Sequence, residues 1–233
     1  MLKLGWDYPT YKAPEKKSEG TVARALRHAL PMDEALKRIA GTDQRPLLVL
    51  RECAVCNGTD DALLSKGADN ERTFLLAAWF HCVKLPVDVL EPNHPFYELF
   101  SHDDAEHFFV TTLDGSLKTK LESQTSRTEL WDAMNGVLSA TYKKDPQPVV
   151  KLVQKSLDRL DVLDERLLDL RAKRNELLET EGAKSSKLEK VDAEIAEANS
   201  QIASIKEEIA IASKLELKSA EAKAGTGPAK ADR

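Results

Sequence analysis

The sequence predicts an α/β protein in which helices flank a small mixed sheet and a long helical segment follows. Three observations lead to this fold class. The apolar run in "LLVLRE" (Leu47–Glu52), which a proline precedes and two cysteines follow, is typical of a short buried strand. Two runs rich in β-forming residues flank Asp114-Gly115, a dipeptide that favours a hairpin turn. From Val149 to Leu217 the chain has no proline and no aromatic residue, which favours long helices.

Composition limits the classes of function. The chain has 233 residues, of which 42% are hydrophobic and 31% charged, and its net charge of −5 does not indicate nucleic-acid binding. The first twenty residues lack the apolar run of a secretory signal, and no segment has 18 consecutive apolar residues. We therefore expect a cytoplasmic protein that contacts neither nucleic acid nor membrane, and no cofactor is indicated.

The chain divides into four predicted regions. An extended arm (1–20) precedes an α/β domain (21–145), and a helical coiled-coil hairpin (149–217) precedes a disordered tail (218–233). The arm has no hydrophobic period, but its aromatic residues Trp6, Tyr8 and Tyr11 could dock it on the domain. The residues Lys143–Pro148 form a linker between domain and hairpin.

Hydrophobic periodicity and turn residues predict the helices and strands of the domain. A helix capped by Asn57 or Thr59 and ended by Gly67 follows the cysteine pair. One helical turn is expected near Phe96–Phe100. The other predicted helices are Thr21–Leu30, Pro31–Ala40, Asn70–Phe80 and Ser126–Tyr142, and the predicted strands are Leu47–Glu52, Cys82–Val89 with a bend at Pro86, and the two arms of the hairpin around Asp114-Gly115.

Part of this pattern resembles the thioredoxin superfamily. The resemblance rests on "DEALKRIAGTDQRPLLVLRECAVC", on "HFFVTTLDGSLKTKLES" as the terminal hairpin and on "TELWDAMNGVL" as the last helix. It covers Pro31–Tyr142, about half of the chain, and implies that Cys53 is the attacking and Cys56 the resolving thiol. Three features differ from the family pattern: Glu52 replaces a tryptophan, Ala54-Val55 replaces Gly-Pro, and Glu106 stands where a cis proline faces the cysteines and shapes an edge that pairs with extended substrates.

Thiol–disulfide exchange requires an accessible thiolate, and the neighbours of Cys53 affect it in opposite directions. A helix that begins at Cys53 would lower the pKa of its thiol through unpaired N–H groups. The negative charge of Glu52 would raise that pKa, and Arg51 would offset Glu52 only in part because side chains alternate along a strand. A helix that starts only at Thr59 would leave Cys53 in a loop.

Two other interpretations of the cysteine pair stay open at this stage. A Cys-x-x-Cys pair supplies half of a tetrahedral zinc site, but the remaining candidates are not well spaced for the other half, so no metal ligand is assigned. These candidates are His81, Cys82, His94, His102 and His107. We expect Cys82 to be a buried small apolar residue and the last three histidines to be surface loop residues. Alternatively, both cysteines are inert.

The long helical segment carries a regular apolar seam that alternates spacings of three and four. Its second part contains Leu188, Val191, Ile195, Ala198, Ile202, Ile205, Ile209 and Ala212, and its first part contains Val153, Leu160, Leu163, Leu167, Leu170 and Leu177. Arg174, Glu181 and Lys184 would interrupt the seam of a single dimeric helix. A hairpin of two arms about Gly182 avoids this, and apolar residues outside the seam, Leu157, Leu168 and Ile211, then suggest a partner.

The sequence thus leads to two hypotheses of function. In the first, the chain is a thioredoxin-like thiol–disulfide protein whose coiled coil binds a partner or a second copy, and its substrate is a protein disulfide. Whether such a protein turns over as an enzyme stays open. In the second, the thioredoxin-like domain is a non-catalytic docking module of a scaffold protein.

Overall fold

The computed structural model describes residues 4–9, 28–53, 63–64, 70–122, 124–183 and 185–218. Within them it has five strands and five α-helices, so the predicted mixed α/β class is confirmed. The strands are β1 (Trp6–Asp7), β2 (Leu47–Arg51), β3 (His81–Leu85), β4 (Phe108–Thr111) and β5 (Lys118–Leu121). The helices are α1 (Met32–Ala40), α2 (Glu71–Ala77), α3 (Arg127–Thr141), α4 (Gln147–Thr180) and α5 (Ser186–Ala212).

The five strands form one sheet in the order β1-β3-β2-β4-β5. Strands β1 and β2 pair parallel with β3, whereas β4 pairs antiparallel with both β2 and β5. Strand β2 is therefore central, and all five of its residues are buried, as in a strand covered on both faces.

Each face of the sheet has its own hydrophobic core. Alternate residues of β2 divide between them: Leu47 and Val49 pack under α1 and the turns around Phe96–Phe100, while Leu48 and Leu50 pack under α2 and α3. The second core also takes in the base of the helical hairpin through Val150 and Val153. The sheet is thus the middle of three layers.

Local sequence signals account for most element boundaries. Pro31 lies at the amino end of α1 and Gly41, at φ +58°, ends it, as predicted. Ser126 and Glu129 form a capping box that starts α3. The turn between β4 and β5 contains Gly115 at φ +73°, where a side chain would be strained.

Three predicted elements in the domain differ from the structure. The helix expected over Asn70–Phe80 is shorter, because it ends at Ala77 and passes into a turn. The strand expected to reach Val89 ends at Leu85, since Pro86 cannot donate to the ladder and a 3-10 turn follows it. Residues 28–30 are not helical, and the rest of the helix predicted over Thr21–Leu30 lies outside the described residues.

Part of the predicted extended arm forms the edge strand β1. Trp6 pairs with Cys82 and Asp7 with Val83. The Trp6 ring also lies 5.0 Å from the Nζ atom of Lys84, a cation–π contact. Tyr8, expected to help dock the arm, is 58% exposed.

Helices α4 and α5 pack side by side as a helical hairpin. The ion pairs Arg159–Glu208 and Arg174–Asp192 link the two helices. Residue numbers rise along α4 while those of their partners fall along α5, so the helices are antiparallel. Gly182, at φ +79°, lies in the turn between them. The buried positions of α4 and α5 agree with the predicted seam: Val153, Leu163, Leu167 and Leu170 on α4, and Leu188, Val191, Ala198 and Ile205 on α5.

The hairpin is fixed to the domain at its base. After α5 the chain returns to α3, where Leu217 forms a β-bridge with Tyr142. The indole N–H of Trp79 donates to the carbonyl of Ser213 at 2.9 Å, and the Tyr142 hydroxyl donates to the carbonyl of Trp79 at 2.8 Å. The expected linker is short, because α4 already begins at Gln147.

Within the described part of the chain, we find no helix that combines the length and the apolar character needed to span a bilayer.

Candidate redox site

Cys53 lies just beyond the carboxyl end of the central strand. The backbone N–H of Glu52 still donates to the carbonyl of Leu85 at 2.8 Å, so β2 continues its pairing with β3 up to the cysteine. Cys53 is half-buried and disulfide-bonded. Cys56 and the helix predicted from Thr59 lie outside the described residues, so the expected position of Cys53 at a helix amino end stays a prediction.

The segment before β4 lies beside Cys53. In the antiparallel ladder Leu50 is opposite Phe108, and the N–H of Arg51 donates to the carbonyl of His107 at 2.9 Å. The paired ladder ends at Leu50 and Phe108; extended by three residues, its register would bring Glu106 opposite Glu52 and Ala105 opposite Cys53. The position that the family resemblance assigns to the cis proline is therefore at the cysteine end of the sheet. The part of the chain that the structure describes contains no cis peptide bond.

Glu106 is a fully buried carboxylate with two partners. Its Oε2 accepts from the backbone N–H of Ser101 at 3.0 Å, and its Oε1 lies 2.9 Å from the Nζ of Lys118. Burial by itself would raise the pKa of Glu106, but the Ser101 N–H and the Lys118 ammonium outweigh it and hold the pKa below the ordinary value. The carboxylate therefore stays charged at neutral pH and fixes the loop from Ser101 to Glu106.

Lys118 completes this buried group. Its Nζ lies 4.2 Å from the centroid of the Phe109 ring and also donates to the carbonyl of Leu99. Because the ammonium contacts an aromatic face, a carbonyl and a carboxylate, the charge is well solvated by protein groups. The Glu106–Lys118 pair thus anchors the loop before β4 by an ionic contact.

Cys82 is a free, buried thiol, as expected. Burial raises its pKa to about 12, so it is protonated and unreactive at neutral pH. It belongs to the core under α2 and α3, while His81 next to it lies near the carboxylates of Asp7 and Asp43, at 3.2 Å and 4.0 Å. His81 therefore belongs to the end of the sheet opposite Cys53.

The three other candidate histidines are separate from one another. His94 was expected at the surface, and this is wrong: it is buried because its Nδ1 accepts from the N–H of Phe96, which closes the turn. His102 stacks on Tyr97 at 4.4 Å and is exposed, and His107 lies 3.4 Å from Glu122. Among the described residues no group of three or more His, Cys, Asp or Glu side chains has the geometry of a metal site.

Two features of this site were not predicted from the sequence. The burial of Glu106 against Lys118 depends on a contact across β4 and β5, which no local pattern in the sequence predicts. Arg51 was treated only as a neighbour of Glu52, whereas its guanidinium is buried on the loop before β4. The available signal in the sequence was that Arg51, a charged residue, ends an otherwise apolar strand and therefore needs partners inside the protein.

Comparisons of the chain with protein-family models, with curated proteins and with solved structures find no match.

Proposed function

We propose that the chain is a thioredoxin-like thiol–disulfide protein in which Cys53 and Cys56 form the redox pair and the helical hairpin, as a coiled coil, binds a protein partner or a second copy. The observation that carries this proposal is the disulfide at Cys53, placed directly after the central buried strand. A strand end fixes the position of the sulfur, whereas the buried thiol of Cys82 is not accessible for exchange.

The order of elements supports the thioredoxin-like assignment. A mixed sheet carries the cysteine after its central strand, an antiparallel hairpin (β4 and β5) lies beside that strand, and α3 is the last helix of the domain. The loop before β4 approaches the cysteine end, as the resemblance implies. The substitution of Glu106 for the family's proline removes a shaped backbone edge, so substrate binding must use other groups.

The proposed exchange is balanced within the pair and its substrate. The Cys53 thiolate attacks one sulfur of a substrate disulfide, and the other substrate sulfur leaves as a thiolate and takes up a proton. The Cys56 thiolate then attacks the Cys53 sulfur, which releases the second substrate thiol and leaves an intrachain disulfide. One dithiol is oxidised and one disulfide is reduced, and an external dithiol must reduce the protein before the next cycle.

A redox titration of the full chain tests this function. Protein equilibrated in glutathione or dithiothreitol buffers should show one reversible two-electron couple, measured by alkylation and intact mass. Cys53→Ser and Cys56→Ser should each abolish the couple, while Cys82→Ala, the matched control, should leave it unchanged. Absence of a couple in the unmodified protein, or its loss only in the Cys82 variant, would contradict the proposal.

A second candidate function is that of a non-catalytic interaction protein, and the shape of the hairpin favours it. Helix α4 has 34 residues, which corresponds to about 50 Å, and among the described residues it packs against the core of the domain at its base. Val162 and Leu168, each 65% exposed, lie on the part that projects. If the titration detects no couple, this arm is the better account of the molecule.

A further inference from the structure

Arg51 is the residue that joins the end of β2 to the loop facing Cys53. Its side chain is expected on the same face of the sheet as those of Leu47 and Val49, because every second residue of a strand points to one face. The residue is only 9% exposed, so its charge is held inside the protein. Cys53, two residues further on, has the same parity and follows on that side if the extended backbone continues.

The guanidinium binds two successive carbonyl groups. Its Nε donates to the carbonyl of Glu106 at 3.3 Å and one terminal nitrogen donates to the carbonyl of Ala105 at 3.0 Å. Its backbone N–H adds the bond to His107, so one residue holds three successive carbonyls. Extending the register of β2 and β4 beyond Leu50 and Phe108 brings Ala105 and Glu106 opposite Cys53 and Glu52, and from this we infer that the guanidinium lies on the segment that faces the sulfur.

The described partners of this guanidinium leave its formal charge in place, because carbonyl oxygens carry only partial charges. The carboxylate of Glu106, which is close in sequence to these carbonyls, is engaged by Ser101 and Lys118 instead. Other ionisable groups at this end of the sheet are Glu52, His107 and Glu122, and the last two lie 3.4 Å apart.

We propose that Arg51 is a positioning residue for the Cys53 redox centre, which fixes the Ala105–Glu106 segment beside the sulfur and stabilises the Cys53 thiolate by its positive charge. This rests on the proposed function. A cation that favours the thiolate favours the reduced form of the pair, so it raises the reduction potential of the disulfide. The strong hydrogen-bonding fork of arginine also keeps the charge at one place.

The test compares two arginines near opposite ends of β2: Arg51 is its last residue, and Arg45 precedes its first by two. Arg51→Gln removes the charge at the cysteine end, and Arg45→Gln removes the same charge at the other end, where Arg45 binds Asp43 and the carbonyl of Ala78. The reduction potential and the pH profile of Cys53 alkylation are measured on full-length variants. Circular dichroism first confirms that each variant is folded. Neither measurement would respond to a purely structural contact remote from the sulfur.

We expect Arg51→Gln to shift the thiol–disulfide equilibrium constant about tenfold toward the disulfide, which is about 30 mV, and to slow alkylation at pH 7. Arg45→Gln should change the constant less than twofold. Equal effects of both variants, or no effect of Arg51→Gln, would overturn the proposal.

A conservative variant keeps the test decisive if Arg51→Gln does not fold. Arg51→Lys retains the charge but cannot bind both carbonyls, so the equilibrium constant should move in the same direction by a smaller factor. A shift as large as the tenfold one expected when the charge is removed would overturn the proposal. Absence of any couple before substitution is a different result, because it removes the proposed function itself.

Discussion

The sheet domain and the helical hairpin bury their apolar residues in different ways. In the domain, β2 and β3 are covered on both faces, and every residue of each strand is buried. In the hairpin, only one stripe of each helix is covered, and four residues of α5 are buried out of 27. Charged side chains therefore meet different conditions in the two regions: those buried in the domain need polar or charged protein groups as partners, while those of the hairpin stay in contact with water.

Two ion pairs illustrate this difference. The Glu106–Lys118 pair in the domain has side chains that are 0% and 15% exposed. The Arg166–Glu194 pair, which joins the two helices of the hairpin, has side chains that are 47% and 44% exposed. Breaking a buried pair leaves an uncompensated charge inside the protein. When an exposed pair is broken, water solvates the charge that is left. The two regions should therefore respond very differently to the same chemical change.

The largest expected effect is that of Glu106→Gln. Loss of the carboxylate leaves Lys118 without its anionic partner, and we expect the free energy of unfolding to fall by about 3 kcal/mol. Chemical denaturation at pH 7, followed by circular dichroism, measures this. A loss below about 1 kcal/mol would show that the buried pair is not structural.

The same variant predicts a dependence on pH. Because the folded pKa of Glu106 lies below its ordinary value of 4.5, its contribution is present above that value and is lost as the pH falls through the folded pKa. The stability difference between the unmodified protein and Glu106→Gln should therefore shrink on acidification from pH 6 to pH 3. A difference that grows over this range would contradict the assigned ionisation.

The sequence predicts those parts of the molecule whose contacts are local or periodic. The buried strand β2, the turn at Asp114-Gly115 and the seam of the hairpin follow from apolar runs, turn chemistry and spacing. Strand β1 is not predictable in this way, because two residues carry no period and only the free edge of β3 makes them a strand. The contacts of Arg51 and Glu106 depend on the register of distant strands, so the candidate site is predictable only at the level of its cysteines.

An intermediate effect is expected for Leu167→Ala in the hairpin. Leu167 is 4% exposed and packs with Leu163, Ala198 and Ile205, so its truncation should cost about 2–3 kcal/mol. Since this cluster is separate from the core of the domain, the loss should appear as faster hydrogen exchange confined to α4 and α5.

The adjacent Leu168 provides the matched control for this prediction. It is 65% exposed, and Leu168→Ala should change stability by less than about 0.5 kcal/mol. If Leu167→Ala accelerated exchange equally in the sheet, the hairpin and the domain would form one cooperative unit, and the contrast between the two regions would be wrong.

The smallest expected effect is that of Glu194→Gln, the hairpin counterpart of the change at Glu106. Its partner Arg166 lies 3.5 Å away in a half-exposed pair, so water replaces the lost contact and the cost should be below about 1 kcal/mol. Because salt screens exposed charges, this small difference should vanish in denaturation experiments at 1 M salt, whereas the effect of Glu106→Gln should persist. A Glu194 effect as large as that of Glu106, or one that is insensitive to salt, would mean that the hairpin surface is covered by a second copy in solution.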